Sequence, residues 1–279
     1  MKQHTLRTTL SFSGVGLHSG KAVTMQLSPA PAGFGIRFVR TDLPGQAVVE
    51  ARVKLVGQSR RGTMLSDHGV KILTPEHLLS AFSGMGVDNA LVELDAPEVP
   101  ILDGSAWPYA QAIREGGLVE QDAERAFLVI EKPFVYTEPH SGSRISFEPA
   151  DGTYFDVTID FDSKVVGVQR FLYDGTVDYA TQVAPCRTFC FLHEINWLQK
   201  LGLIRGGSLD NALVVDEPRG YYGGKELYFD NELARHKLLD LLGDFALAGL
   251  PVQGRITASK PGHKINTQAL KQFIADAVL

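Results

Sequence analysis

The sequence has few cysteines and no excess of basic residues. It contains 2 cysteines in 279 residues, too few for a disulfide-stapled secreted scaffold, so a reduced intracellular protein is expected. Cys186 and Cys190 also lack the spacing and the second pair of a structural zinc site, which favours two buried thiols over metal ligands. Lys and Arg number 27 against 32 Asp and Glu, and this acidic balance excludes the basic surface that nucleic-acid binding requires.

Long apolar runs are absent as well. Residues 1–14 lack the apolar core of a signal peptide, and no stretch approaches the roughly 18 apolar residues of a transmembrane helix. A cytoplasmic location is therefore expected. The composition is that of a globular protein, with 44% hydrophobic and 21% charged residues, and 28 Gly and 14 Pro between many short elements. The length permits one large domain or two of ordinary size.

The order of predicted elements repeats between the two halves of the chain. Apolar periodicity predicts that each half ends in a helix, a strand, a turn and a second helix. These elements span 74–86, 89–96, 97–105 and 106–117 in the first half, and 231–249, 252–259, 260–264 and 266–279 in the second.

Short segments in which apolar and polar residues alternate precede both helical regions. They predict half-buried strands and span 21–30, 35–40, 47–53, 127–137, 143–150 and 154–161. Strands grouped ahead of helices indicate an α+β fold of two similar halves, each a small, mostly antiparallel sheet with two principal helices. The polar stretch 121–126 is interpreted as the boundary, which gives a first domain at 1–123 and a second at 124–279.

The helix predicted at 231–249 aligns three ionisable side chains. His236, Asp240 and Asp244 recur every four residues and so share one helical face. Such a His-Asp pair alone is ordinarily a surface contact worth about 0.2–0.5 kcal/mol. His77 lies on the matching helix of the first half. If the halves pack about a rough two-fold axis, His77 meets His236 and Asp240, and these side chains form a catalytic zinc set with an open fourth position.

The beginning of the helix at 74–86 supports this interpretation. Thr74 is predicted to cap the helix and Pro75 to be its first residue. His77 then lies in the first turn, where the helix dipole favours the neutral, metal-binding imidazole. Glu76 could take a proton from a metal-bound water, although a carboxylate at this position is ordinarily stabilised by the dipole alone.

Two further histidines lie in predicted turns. His263 follows Gly262 in the turn at 260–264, where it could donate a proton to a leaving group if Asp244 holds it charged. Without that partner it would be an ordinary turn histidine. His18 lies in a Gly-rich turn with no helix predicted after it, which argues against a phosphate-binding loop.

Seven sequence segments, in order along nearly the whole chain, form a specific set. They are GVGLHSGK (14–21), TPEHLLSAFSGMGVDNALVEL (74–94), PILDGSA (100–106), RTFCF (187–191), GGSLDNALVVD (206–216), FDNELARHKLLDLLGD (229–244) and KPGHKIN (260–266). On these segments the chain resembles the UDP-3-O-acyl-N-acetylglucosamine deacetylases, zinc amidases of the early lipid A pathway of Gram-negative bacteria. The resemblance implies two α+β halves with their helices packed together between two sheets.

The resemblance also implies roles for individual residues. It implies zinc, one ion per chain, on His77, His236 and Asp240, with iron able to occupy the same site. Four further residues acquire catalytic roles: Glu76 as general base, His263 as general acid or electrostatic stabiliser, Asp244 as the carboxylate that orients His263, and Thr188 as the hydroxyl that polarises the oxyanion.

Substrate contacts follow from the same resemblance. The residues implied are Lys237, Phe161, Phe189, Ile195, Leu198 and His18. The apolar residues of 191–204 are either ordinary core or, as the resemblance implies, the lining of a passage for the acyl chain. The expected protein is a monomer. Two alternatives stay open: another zinc amidohydrolase on the same scaffold, and a non-enzymatic binding module with a structural zinc, for which no fourth protein ligand is found.

Overall fold

The computed structural model describes residues 1–58 and 60–277, which form an α+β fold. Six α-helices lie in these residues: α1 Glu76–Met85, α2 Trp107–Gly116, α3 Tyr179–Gln182, α4 Ile195–Lys200, α5 Glu232–Ala246 and α6 His263–Ala277. The strands of the first half are β1 Lys2–Leu6, β2 Leu10–Val15, β3 Ala22–Pro29, β4 Ile36–Arg40, β5 Val48–Glu50, β6 Met64–Asp67, β7 Val70–Leu73, β8 Ala90–Leu94 and β9 Leu118–Glu124. Those of the second half are β10 Leu128–Val129, β11 Phe134–Thr137, β12 Arg144–Glu148, β13 Thr153–Asp160, β14 Val168–Tyr173, β15 Phe189–Phe191, β16 Leu213–Asp216, β17 Gly220–Tyr221 and β18 Val252–Ser259.

Two larger sheets share one strand order. The first is β2-β3-β8-β4-β5, and the second is β11-β12-β18-β13-β14 with β10 beside β18. In each, the strand that comes last in the chain lies in the middle and forms a parallel pair, β4 with β8 and β13 with β18. The other neighbours along both paths are antiparallel. Both sheets are therefore mixed, and the α+β class is confirmed.

Alternation along the strands explains why they form. In β3, Val23, Met25 and Leu27 are buried, whereas Thr24 and Gln26 between them are exposed. Successive side chains of a strand point to opposite faces, so the apolar set faces the core and the polar set faces solvent. The predicted strand 252–259 coincides with β18 and shows the same pattern.

One predicted element boundary is wrong, and the polar stretch 121–126 is more regular than predicted. Residues 121–124 end strand β9, which pairs with β1. Helix α6 begins at His263, so this residue is not in the preceding turn. The side chain of Asn266 accepts a hydrogen bond from the Gly262 N–H at 3.2 Å, which satisfies a donor at the helix start and favours the earlier beginning.

Helices α1 and α5 pack against each other at very close range. A β-carbon added to Gly243 would lie 2.0 Å from the carbonyl oxygen of Glu76, so only glycine permits this approach. The predicted cap is wrong, because Pro75 is the N-cap and gives no side-chain hydrogen bond. Thr74 has a φ of 54° and its hydroxyl donates instead to Glu98 at 2.8 Å. The Gly243 crossing sets the first turn of α1 against the middle of α5.

Helix α5 is buried on nearly all sides. Its buried residues include His236, Asp240 and Asp244 as well as the leucines beside them. This burial excludes the alternative that the histidine and aspartate form a surface pair. Among the described helices, not one is both long and apolar enough to cross a membrane.

Candidate active site

The three predicted metal ligands lie together. One side-chain ligand atom from each of His77, His236 and Asp240 lies within 4.8 Å of the others. Asp240 Oδ1 is 3.6 Å from His77 Nε2 and 3.4 Å from His236 Nε2. Ligand atoms about 2.0–2.1 Å from a tetrahedral zinc ion are about 3.3 Å apart. The observed spacings therefore fit a single small cation bound between α1 and α5.

The hydrogen bonding of these side chains also fits a cation. Asp240 Oδ1 is buried, and none of the residues that the structure describes gives it a hydrogen bond, which is costly for a carboxylate oxygen unless an ion completes its environment. Its other oxygen accepts a bond from Lys237 Nζ at 2.7 Å. His236 Nδ1 bonds to the carbonyl oxygen of Cys186 at 3.0 Å. That bond makes Nδ1 the protonated nitrogen and leaves the Nε2 lone pair for a metal.

The ionisation states in the site suit metal binding. Burial lowers the pKa of His236 to about 3, which keeps the imidazole neutral. Burial by itself would raise the pKa of Asp240, but the positive charges of Lys237 and His263, together with the adjacent His236 ring, outweigh it and hold that pKa well below its ordinary value. A neutral imidazole and an ionised carboxylate are the forms that bind a divalent cation.

Glu76 is the most unusual acid of the site. It is 2% exposed, and burial raises its pKa to about 7 although the nearby His263 and His77 lower it. The backbone N–H of Thr63 donates to both carboxylate oxygens, at 3.3 and 3.2 Å. A carboxylate that takes up a proton near neutral pH is suited to general-base chemistry.

His263 lies opposite Glu76. Its Nε2 is 3.6 Å from Glu76 Oε1 and 3.7 Å from Asp240 Oδ2, and its Nδ1 is 3.0 Å from Asp244 Oδ2. Burial disfavours the charged ring, yet Asp244, Asp240 and Glu76 together raise the pKa of His263 to about 10. The imidazolium is therefore the form present at neutral pH, as the sequence predicted if Asp244 lay beside it.

These groups lie at one cavity of about 1370 Å³. Glu76, His77, Asp240 and His263 line it, and Thr188 lines it just before strand β15. His236 and Asp244 are buried behind this wall. Glu76, the candidate base, and His263, the candidate acid, therefore lie on the same cavity wall as His77 and Asp240 of the ligand set.

The predicted substrate contacts line the same cavity: His18, Phe161, Phe189, Ile195, Leu198 and Lys237. The Phe161 and Phe189 rings are 5.7 Å apart, and Lys237 Nζ lies 5.3 Å from the centre of the Phe189 ring. His18 is mostly buried, and this burial lowers its pKa despite the charge of Glu98.

The segment predicted to line an acyl passage is less regular than its sequence indicates. Its start completes β15, a 3-10 turn follows at Leu192–Glu194, and α4 spans only Ile195–Lys200. Leu198 is buried and lines the cavity, whereas Trp197 is 49% exposed. The apolar face of this segment thus contacts the cavity and does not belong wholly to the protein core.

Three residues that support the site were missed from the sequence. Thr63 Oγ1 donates to Asp244 Oδ1 at 2.5 Å and Asn266 donates to Asp244 Oδ2 at 2.9 Å. Glu98 accepts from the backbone N–H of His18 at 2.9 Å. Had the last helix been predicted to begin at His263, Asn266 would have been expected one turn further along the same helical face. Thr63 and Glu98 lie in irregular segments with no periodic signal.

The cysteines take no part in the ligand set. Cys186 is buried and Cys190 is partly buried, and both thiols are free. Burial raises the pKa of both thiols, that of Cys190 to about 11. Cys186 is a buried thiol, as predicted, whereas Cys190 is only partly buried.

Two imidazoles and a carboxylate with an open side, beside a buried carboxylate and an imidazolium, define a metal-dependent hydrolase. Comparison with known proteins gives the family. Residues 3–275 match the family described as UDP-3-O-acyl N-acetylglycosamine deacetylase, and the chain belongs to it. The resemblance drawn from the sequence motifs is thereby confirmed, and the family is metal-dependent.

Individual relatives agree with this assignment. The chain is 44% identical to the UDP-3-O-acyl-N-acetylglucosamine deacetylase of Myxococcus xanthus, over 98% of this chain and 87% of that protein. A deacetylase of the same name from an Anaeromyxobacter species is also 44% identical, over 98% and 89%. A bifunctional LpxC/FabZ enzyme of Porphyromonas gingivalis is 42% identical over 96% of this chain, which spans 63% of that longer relative.

Proposed function

We propose that this protein removes the N-acetyl group of UDP-3-O-acyl-N-acetylglucosamine, giving UDP-3-O-acyl-glucosamine and acetate, in lipid A biosynthesis. The observation that carries the proposal is the open ligand set beside Glu76 and His263 in a chain of this family. The deacetylase names of the relatives supply the substrate. His77, His236 and Asp240 hold the metal, which we propose to be zinc.

The residues at the cavity wall divide the work of amide hydrolysis. Bound zinc supplies a Lewis acid that polarises the amide carbonyl and lowers the pKa of water to about 7. Glu76 accepts the proton of the attacking water. The Thr188 hydroxyl donates to the developing oxyanion, where preorganised donors lower the barrier by several kcal/mol. His263, kept cationic by Asp244, either gives a proton to the departing amine or stabilises the negative charge of the oxyanion.

The rest of the cavity accommodates the remainder of the substrate. Lys237, Phe161 and Phe189 contact the nucleotide sugar, and His18, which lines the same cavity, is a further substrate contact. Ile195 and Leu198 line the passage for the acyl chain. The cavity of about 1370 Å³ supports this division, since it exceeds the roughly 300–1,000 Å³ typical of small-molecule pockets.

The domain assignment stays part of the proposal. The shared strand order of the two sheets supports two similar units at 1–123 and 124–279, with the helices packed together between the sheets. A monomeric state and a cytoplasmic location complete the proposal.

Turnover and metal content together test the function. The protein, loaded with one equivalent of zinc, is expected to release acetate from the acylated UDP-sugar and far more slowly from the same sugar without its acyl chain. Equal rates on both substrates would favour another zinc amidohydrolase. Stoichiometric metal with no turnover of either substrate would favour a structural zinc in a binding module.

A further inference from the structure

The carboxylate of Glu232 is held by an unusually complete set of donors. It is fully buried in the first turn of α5, one turn before His236. Its oxygens accept from the backbone N–H of Arg187 at 3.1 Å, from Arg187 Nε and one terminal nitrogen at 2.8 and 3.0 Å, and from the backbone N–H of Tyr228 at 2.7 Å. Four hydrogen bonds to one buried carboxylate fix the positions of Arg187 and of the Tyr228 backbone.

Glu232 binds Arg187, and both chain neighbours of Arg187 contribute to the site. Cys186, before Arg187, offers the carbonyl oxygen that bonds His236 Nδ1 at 3.0 Å. Thr188, after Arg187, lines the cavity. The backbone of Thr188 is further fixed by its N–H, which donates to the Gly104 oxygen at 2.8 Å. A shift of Arg187 would therefore turn the His236 ring and move the Thr188 hydroxyl together.

We infer that Arg187 and Glu232 form a positioning pair that holds the 186–188 segment in register with helix α5. The pair touches neither the metal ligands' binding atoms nor the substrate cavity directly. It acts through the Cys186 carbonyl on the tautomer and orientation of His236, and through the backbone on Thr188. The effect on His236 depends only on the ligand set, whereas the effect on Thr188 rests on the proposed function.

The geometry requires arginine at this position. Besides its two bonds to Glu232, the guanidinium donates to the Glu226 carbonyl oxygen at 2.7 Å and lies 4.0 Å from the centre of the Tyr228 ring. A lysine ammonium provides one point charge and cannot reproduce a planar fork with three directed contacts. Arg187→Lys therefore keeps the positive charge beside Glu232 but loses the directed contacts that orient residues 186–188.

Metal affinity provides a test that does not depend on catalysis. Zinc affinity is measured by competition with a chelator for the wild type, Arg187→Lys and Glu232→Gln. Changing partners that orient metal ligands typically weakens metal binding about 10–100-fold, and we expect about tenfold or more in both variants. Visible absorption of the cobalt-substituted protein should also change, because it reports ligand geometry. In deacetylation, kcat should fall more than KM rises, because the Thr188 contact forms in the transition state.

The chain offers a matched control in the Arg125–Asp88 pair. Its N···O distance is 2.8 Å, and its side chains are 16% and 11% exposed, similar to the 2.8 Å and the 12% and 0% of Arg187 and Glu232. Asp88→Asn should lower the unfolding temperature but change zinc affinity less than twofold.

The inference is overturned if Arg187→Lys binds zinc as tightly as the wild type with an unchanged cobalt spectrum. It is also overturned if Asp88→Asn weakens zinc binding equally, since the pair would then act through stability alone. Should Glu232→Gln fail to fold, Arg187→Lys still decides the matter. Failure of the proposed deacetylation would leave the zinc-affinity result unaffected, so the two outcomes are distinguishable.

Discussion

Replacing Glu76 by glutamine separates its catalytic role from its effect on folding. Glutamine has nearly the same shape, and its carbonyl oxygen can still accept from the Thr63 N–H that lies 3.2–3.3 Å from the carboxylate. It cannot take a proton from water. Because a positioned general base contributes about 10²–10⁴-fold to rate, turnover should fall by that factor while the metal stays bound.

The same substitution, which lowers turnover, should raise the stability of the metal-free protein at high pH. The pKa of Glu76 rises from 4.5 to about 7 in the folded protein, mainly because the ionised form is buried. An acid whose folded pKa is raised contributes full stability below pH 4.5, and this stability is lost as the pH rises through about 7. At about 1.4 kcal/mol per pH unit, ionised Glu76 destabilises the metal-free fold by about 3 kcal/mol at pH 8. Glutamine, always neutral, removes this destabilisation.

Urea unfolding of the metal-free wild type and Glu76→Gln at pH 5 and pH 8 measures this effect. The variant should be close to the wild type at pH 5 and more stable at pH 8, by up to about 3 kcal/mol. Metal analysis and acetate release on the zinc-loaded proteins complete the comparison. Loss of metal from the variant, or a variant equally destabilised at both pH values, would refute the reasoning.

Three further outcomes are expected. Asp240→Ala should release the metal, because it removes the ligand that lies 3.4–3.6 Å from both imidazoles; elemental analysis checks this, and full zinc retention would contradict the assigned site. The pH–rate profile should be a bell, rising at or below pH 7 as Glu76 loses its proton and falling near pH 10 as His263 loses its own; a profile flat from pH 5 to 11 would exclude this acid–base pairing. Leu198→Trp or Ile195→Trp should reduce turnover of long-chain substrates at least tenfold, with short-chain turnover as the control; equal losses on both would place these side chains outside an acyl passage.

Local periodicity predicted the elements whose core-facing residues recur regularly. The helix at 106–117, the long α5 and the strand β18 followed from spacing alone, because their apolar residues recur at the helical or strand period. The prediction failed where distant partners decide the conformation. Strand β9 forms because β1 pairs with it across more than a hundred residues, and Thr74 turns away from its expected cap because Glu98 accepts its hydroxyl hydrogen bond.

Part of the site was also predictable from the sequence. The four-residue spacing of His236, Asp240 and Asp244 placed them on one helical face, and local context made Glu76 and His263 candidates for proton transfer. The motif resemblance then added Thr188. The contact of Thr63 with Asp244 was not predictable, because a hydrogen bond across 181 residues has no signature in local pattern. The contact of Asn266 with Asp244 was missed because helix α6 begins earlier than predicted.

The sequence by itself determined the α+β class, the composition of the ligand set and the helical face that carries most of it. Tertiary structure alone decided that these side chains share one site. His77 reaches Asp240 only because α1 and α5 approach until the Gly243 backbone meets the Glu76 carbonyl. Burial at that contact then raises the pKa of Glu76. Spacing along a chain fixes directions around one helix, whereas distances between helices and the exclusion of water arise from packing.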